Sequence, residues 1–480
     1  MLLALAAAAC HEDGDESKAP EPAAQHFRSR PDLRPPPVEI AEESQGAAPG
    51  YVFLAPKREV AQAGPLILDD EGEVVWFRPL DTEGVTDFRV QRYDGRPVLT
   101  WWRGQSERGI GDGHFVIVDD AYREIATVSA GNGLSGDIHE FLITERDTAL
   151  ILVYNRVPRD LRPLGGPEEG AIWDNIVQEL DVATGRVLFE WHSLGHVAPA
   201  ESYAPVPDAA KGAEADAYDY FHVNSVEVDD DGGLIVSARN THAVYKLDRD
   251  TGAVLWRLGG KESDYALGPG VRFAWQHDAR RQPDGTLTLF DNVAAEEEEG
   301  GASRVVVLRL DEEGRRASLD RSYRHPTGLL STTQGNAQFL PGGHVFVGWG
   351  SQRWFTEFDG GGRVVLDASF GSEGADSYRA YRFAWVGRPA EAPAVAVEAG
   401  ESDDRWVVHV SWNGATEVAR WQVLAGAEAT RLQPLAEQAR TGFETTLPVV
   451  TNAAVLQVRA LSAGGGVLGT SRPVELGELD

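Results

Sequence analysis

An all-β fold is predicted by three features of this 480-residue sequence. It holds 52 glycines and 26 prolines, enough turn formers for many short strands; it has a single methionine against 13 tryptophans; and hairpin-like units recur along it. The length is too great for one ordinary domain unless that domain is a large β architecture, so one large unit plus a smaller one is expected. The formal net charge of −31 repels nucleic-acid phosphates and anionic membrane surfaces, which argues against a nucleic-acid partner.

From the N-terminus, the run "MLLALAAAAC" reads as an apolar signal segment with small residues at Ala7, Ala8 and Ala9 followed by Cys10. It resembles the lipobox of bacterial lipoproteins. The expectation is a signal over residues 1–10, export to the periplasm or cell surface, and a lipid anchor on Cys10 as the sole membrane attachment. Because Cys10 is the only cysteine, no disulfide within the chain and no cysteine-based metal site is possible. Residues 11–48 carry "APEPAAQ" and "RPPP" among many acids, a composition that predicts a flexible tether.

Hairpins of polar start, short strand, acidic or glycine turn and apolar strand follow. The clear ones are "DIHEFLITERDTALILVYN" (137–155), "FHVNSVEVDDDGGLIVSARN" (221–240), "WQHDARRQPDGTLTLFDN" (275–292) and "QGNAQFLPGGHVFVGWGS" (334–351), with a weaker one at 88–104. Second hairpins accompany them at 175–191, 242–258 and 304–323, and a further unit lies at 64–79. Four strands per unit is the pattern of a propeller blade, and the count predicts a six-bladed β-propeller over 49–388. The long segments 156–173 and 194–219 are read as loops that either form lids or walls of a site or are plain surface insertions. Beyond about Arg388 the repeat stops and alternating strands run through 392–478. This part resembles a fibronectin type III β-sandwich, departing from it in having no tyrosine after position 390 and so no tyrosine corner.

In a propeller the first strand of each blade lines the central channel, so equivalent positions converge. His139, His222, His277 and Asn336 occupy that place in the clear units. A lone histidine is more often a satisfied structural residue, but three at equivalent positions argue for a site. Folding each hairpin on its turn sets Asn240 opposite His222 with Arg239 beside it, and Asp291 opposite His277. His222 and Asn224, two apart, share a face. Taken singly, Arg239 reads equally well as a strand-end salt bridge and Asp291 as a turn cap. Three histidines suit zinc, whereas a permanent cation among them suits a sulfate or phosphate oxyanion. No nucleotide-binding glycine motif is present.

The succession "IHEFLIT", "FHVNSV", "SARNTHAVYKLD", "VLWRLGGK", "QHDARRQPDGTLTLFDN" and "GNAQFLPGGHVFVGWG" resembles the bacterial arylsulfate sulfotransferases, in their arylsulfotransferase-like branch, across roughly residues 50–390. The resemblance implies a six-bladed propeller, export, and transfer of a sulfuryl group from a phenolic sulfate donor to a phenolic acceptor. It implies no cofactor and no nucleotide sulfate donor, and a ping-pong route through a sulfohistidine. By motif, His277 is the nucleophile; His222, Asn224 and Arg239 match sulfate-binding groups; and His139 matches the histidine that assists the phenolic oxygen. Thr332 or Thr333 is placed at the sulfuryl oxygens, and Asn336 and Asp291 complete the expected substrate-binding set. The chain departs from the best-known members in lacking an N-terminal β-sandwich and a disulfide and in adding a C-terminal domain. A second reading is a surface-anchored propeller that binds an anionic or polymeric ligand without turnover. The sequence assigns no oligomeric state.

Overall fold

Tight turns organise the chain locally. In "DRDTG" the Asp248 carboxylate accepts from the backbone N–H groups of Asp250 and Thr251, and Gly252 takes φ +72°, where an added Cβ would also lie 3.3 Å from the Trp191 ring. Hairpins built this way make up nearly all the regular structure of the computed structural model, which describes residues 22–42, 46–80, 84–292 and 301–477. The signal segment 1–10 and its Cys10 lie outside the described residues.

Six antiparallel four-strand meanders occur among the described residues before position 384. Given from innermost strand outwards, the first is Ala380–Phe383, Tyr51–Leu54, Leu66–Leu68 and Val74–Phe77. The second is Gly84–Tyr93, Arg96–Glu107, Ile110–Val118 and Glu124–Val128; the third is Phe141–Ile143, Thr148–Arg159, Gly170–Asp181 and Val187–His192. The fourth is Val223–Val228, Leu234–Ala238, Ala243–Leu247 and Val254–Gly259. The fifth is His277–Arg281, Leu287–Asp291, Arg304–Asp311 and Arg316–Arg324, and the sixth is Asn336–Phe339, Val345–Gly348, Trp354–Phe358 and Val364–Phe370.

Each sheet is apolar on both faces, and this sets how the sheets stack. Phe53 and Ile67 of the first sheet pack with Leu99 and Trp101 of the second, while Val52 and Leu66, pointing the other way, pack with Phe346 and Leu366 of the sixth. Apolar cores likewise join the second sheet to the third, the third to the fourth, the fourth to the fifth and the fifth to the sixth. Six cores between six sheets close a ring, and alternate side chains of one strand serve two different cores. The ring is sealed by strand Ala380–Phe383, which pairs with Tyr51–Leu54 from the other end of the chain.

Two expectations need correction. Residues 22–42, placed in a flexible tether, are ordered: Leu33 is buried in the core between the first and sixth sheets, and Val38–Glu42 pairs with Val364–Phe370 as an added edge strand. The apolar Leu33, Val38 and Ile40 find a core that the proline-rich composition hides. The segment 156–173 is not wholly loop, because strands Thr148–Arg159 and Gly170–Asp181 extend well past the sheet as a two-stranded projection.

After position 390 a three-stranded sheet (Ala394–Ala399, Arg405–Ser411, Glu444–Val450) faces one built from Arg420–Gly426, Gln433–Ala439, Val455–Leu461, Val467–Thr470 and Val474–Glu475. Val408, Val410, Trp421, Leu447 and Val458 form its core. This sandwich docks on the outermost strand of the first sheet. Gly414 N–H donates to Val75 O, and the Asn413 amide both accepts from Phe77 N–H and donates to Phe77 O. The open edge of that strand is thereby covered.

Candidate active site

The innermost strands are irregular where they approach the axis. Asp87, His222, Trp275, Asp278 and Gln334 all take φ between 55° and 66°, a left-handed conformation that costs non-glycine residues of order 1 kcal/mol or more and gathers at functional sites. The pairing of the inner strands also shifts by one residue between Thr86 and Arg89, between Val223 and Ser225, and between His277 and Arg280. Such bulges re-aim side chains near their position.

Three imidazoles meet at this end of the channel. The ring of His139 lies 5.0 Å from that of His222, edge to face, and both lie within 6 Å of the Tyr154 ring. Tyr378 stands 5.5 Å from His139 and 6.3 Å from His277, bridging the group. All three histidines are buried. Each is held at Nδ1, and the holders differ: the Asp137 carboxylate for His139, the Asp219 carboxylate for His222 at 2.5 Å, and the Asn292 amide oxygen for His277 at 2.7 Å. The Trp275 carbonyl lies 3.1 Å from the same His277 Nδ1, and Gln334 N–H donates to Nε2 at 3.2 Å.

Burial pushes the His277 imidazole well below the usual histidine value, and the Arg239 cation adds to that push. Burial also lowers His139, with the Asp137 carboxylate working in the opposite direction. His277 is therefore a neutral imidazole at pH 7. Arg239 holds its Cζ over the Trp275 ring, 4.6 Å from the centroid, and donates to Asn240 Oδ1 at 2.9 Å. Its Nε is buried with no hydrogen-bond partner among the described residues. A buried guanidinium left with a spare donor, beside imidazoles, is chemistry that receives an oxyanion.

Beneath the histidines the channel is plugged by ions. Arg379 bonds to Asp87 at 2.9 Å, to both Glu140 oxygens at 3.1 Å and to Asn224 O at 3.2 Å. Arg89 and Arg280 also bind Glu140, which three guanidiniums hold well below the usual carboxylate range. Above the histidines a cavity of about 910 Å³ opens to solvent, lined by Arg108, Asp112, Tyr154, Trp173, Asp216 and Asp219. Segment 194–219 does form part of that wall, and Asp216 pairs with Arg108 at the tip of the second sheet's long hairpin.

Of the expected residues, the structure brings His139, His222, His277 and Arg239 together. Asn224 is at the site, but its Nδ2 donates to Gln276 O of the next sheet at 2.7 Å, and its buried Oδ1 has no hydrogen-bond partner among the described residues. Asn336 is not a pocket residue: its amide donates to Ala380 O at 2.8 Å and accepts from Ala380 N–H at 2.9 Å, tying two inner strands together. Asp291 is also elsewhere, accepting from Ala274 N–H and from Arg304 Nε at 3.0 Å. The bulge explains this, because it pairs His277 with Phe290 rather than with Asp291. Thr333 contributes its carbonyl to Ser331 and Ser351, and the His277 contact comes from the next residue, Gln334; Thr332 is exposed.

Sequence reasoning missed Asn292, Asp137, Asp219, Tyr154 and Tyr378. A signal existed for the acids, each of which precedes its histidine by two or three residues. For Asn292 the only signal was adjacency to Asp291, the residue chosen in its place.

The profile of a protein family described as arylsulfotransferase (ASST) matches residues 89–371. No curated protein matches the chain. Among solved structures, the chain is similar to a protein of unknown function from Bacteroides caccae, with 12% identity, TM-score 0.41, and 67% of this chain and 93% of that one covered. It is also similar to a streptogramin B lyase, with 11% identity, TM-score 0.31 and coverage of 90% and 93%. Virginiamycin B lyase from Staphylococcus aureus follows with 10% identity, TM-score 0.26 and coverage of 71% and 85%.

Proposed function

Because the chain belongs to the arylsulfotransferase family, we propose that it is an exported enzyme moving a sulfuryl group from a phenolic sulfate ester to a phenolic acceptor, by way of a sulfo-His277 intermediate. The observation that carries this reading is a buried neutral imidazole, His277, beside a guanidinium with an unused donor and two carboxylate-backed imidazoles.

In the first half-reaction His277 Nε2 attacks sulfur, and the sulfur–oxygen bond to the aryl group breaks. The electron pair leaves with the phenolic oxygen, which takes a proton from His139. Arg239 and His222 hold the charge on the remaining sulfuryl oxygens. The Gln334 N–H that contacts Nε2 is displaced by sulfur and becomes a further donor to them. In the second half an acceptor phenol gives its proton to His139 and its oxygen attacks sulfur; the sulfur–nitrogen bond breaks and the pair returns to Nε2. For His139 to carry a proton at the start, the bound ester's negative charge must offset the burial that lowers its pKa.

Incubation with a chromogenic aryl sulfate, with and without a phenol, tests the proposal. The expected outcome is phenol release that accelerates with acceptor, and a protein mass increased by one sulfuryl group that His277→Ala abolishes. Binding of the ester without release or adduct is the outcome for a non-catalytic binder. Export and lipidation at Cys10 are part of the proposal and are checked by fractionation and by the mass of the mature N-terminal peptide.

A further inference from the structure

We infer that Asn292 is the positioning residue that makes His277 the nucleophile, by fixing the proton on Nδ1 and leaving the lone pair on Nε2. The inference rests on the sulfuryl-transfer reading for its consequence in turnover, but not for its geometry.

An amide side chain has an oxygen end and a nitrogen end that look alike in shape, so its orientation must be read from its neighbours. Asn292 Nδ2 lies 3.0 Å from Ser331 O and 2.8 Å from Gln334 O. Both are carbonyls, which only accept, so the nitrogen end must face them. The oxygen end is then forced toward His277 Nδ1, 2.7 Å away. Trp275 O, the other neighbour of Nδ1, is also a pure acceptor. Nδ1 is thus surrounded by acceptors and carries the hydrogen. Nε2, facing a backbone N–H at 3.2 Å, accepts. The two observations agree on one tautomer.

An amide differs from a carboxylate here in charge rather than in shape. His139 and His222 have the Asp137 and Asp219 carboxylates at the same ring nitrogen, and at His139 that carboxylate works against the burial that lowers its pKa. Among the described residues, the titratable groups facing His277 are Arg239, His139, His222 and Tyr378, none of them an anion; the Asp278 carboxylate next in sequence is occupied by Arg280 and by Ala337 N–H. A carboxylate at position 292 would pull His277 toward the imidazolium, which has no lone pair to attack with. It would also accept the Nδ1 proton from the sulfo-imidazolium formed in the first half-reaction, so that the group displaced in the second half would be an imidazolate anion, a poorer leaving group than neutral imidazole. Asn292 accepts a hydrogen bond without accepting the proton.

The test uses the full-length protein labelled with nitrogen-15 histidine, with His277 assigned by its loss in His277→Gln. Two-bond proton–nitrogen spectra across pH 5–9 are expected to show His277 as the Nδ1–H tautomer, uncharged throughout. The Nε2–H tautomer, or a ring that protonates near pH 6.5, overturns the inference. In Asn292→Asp the His277 titration midpoint is expected to rise by about 2 units, with the acid limb of the kcat/KM profile rising with it; if both stay where they are in the wild type, the positioning role is refuted. Should that variant not fold, Asn292→Ala is expected to admit the Nε2–H tautomer and lower kcat about tenfold or more at unchanged donor KM, and an unaltered tautomer and kcat refute the role. If no aryl sulfate is turned over by the wild type, the transfer reading falls, while the spectra still decide the tautomer.

Discussion

Keeping an imidazole buried and uncharged links the His277 site to the stability of the whole molecule. The unfolded chain binds a proton at each histidine near pH 6.5. In the folded protein burial holds His277 and His139 well below and below that value, respectively. The unfolded state therefore binds more protons as pH falls through 6.5, and stability, full above that pH, declines toward the folded pKa at about 1.4 kcal/mol per pH unit for each such histidine. Replacing His277 with Gln removes one of these terms. Urea titrations at pH 7.5, 6.0 and 5.0 are expected to show a wild-type minus variant difference that moves in the variant's favour by about 1.4 kcal/mol per unit once below pH 6.5; a difference independent of pH contradicts it. At this scale the sequence made the imidazoles legible, because they begin repeated units, but not their partners. Counting residues back from a turn assumes a regular ladder, and the bulge inside His277–Arg281 displaces the pairing by one, enough to put Asp291 against Arg304 and to leave Asn292 next to the ring. Bulges follow from strain at the axis, which no local pattern of side chains announces.

Between elements, amide side chains perform a task that their position at the channel had disguised. Asn336 bonds both backbone groups of Ala380, Gln338 both of Arg382, and Gln91 joins Phe141 O and Ile143 N–H. Inner strands of neighbouring sheets are too far apart and too splayed to share a ladder, so an amide, with one donor end and one acceptor end, mimics the missing strand edge. Asn336→Ala would leave Ala380 N–H and C=O buried and unpaired, at a cost of about 2–4 kcal/mol. The expectation is a lower urea midpoint with donor KM unchanged. A raised KM at unchanged stability would instead restore Asn336 to the substrate-binding set. The hairpins themselves were legible, since each shows its turn residues and its apolar alternation. The extension of strands to Arg159 and from Gly170 was not, because Pro158 and the intervening Pro163, Gly165, Gly166 and Pro167 read as loop.

For the molecule as a whole, a ring of sheets is only as closed as its seam, and this chain closes the seam twice. Ala380–Phe383 joins Tyr51–Leu54 at the inside of the first sheet, and Val38–Glu42 lies along Val364–Phe370 at the outside of the sixth. The second clasp also carries Leu33 into the core between those sheets, and Ser29 to Glu444 and Ser411 of the sandwich. Removing residues through 45 keeps the inner clasp and deletes the outer one. It leaves the edge of Val364–Phe370 unpaired, and an open edge recruits another strand. The truncated protein is therefore expected to melt lower by about 5 °C or more and to self-associate with concentration in light scattering. The specific activity of its folded fraction should stay near that of the full chain, because His139, His222 and His277 sit on the third, fourth and fifth sheets, away from the seam. Loss of turnover in a truncated protein that stays monomeric and melts normally would show instead that the outer clasp acts on the channel, through the ion cluster that binds Asp87, Glu140 and Arg379 to one another across the axis.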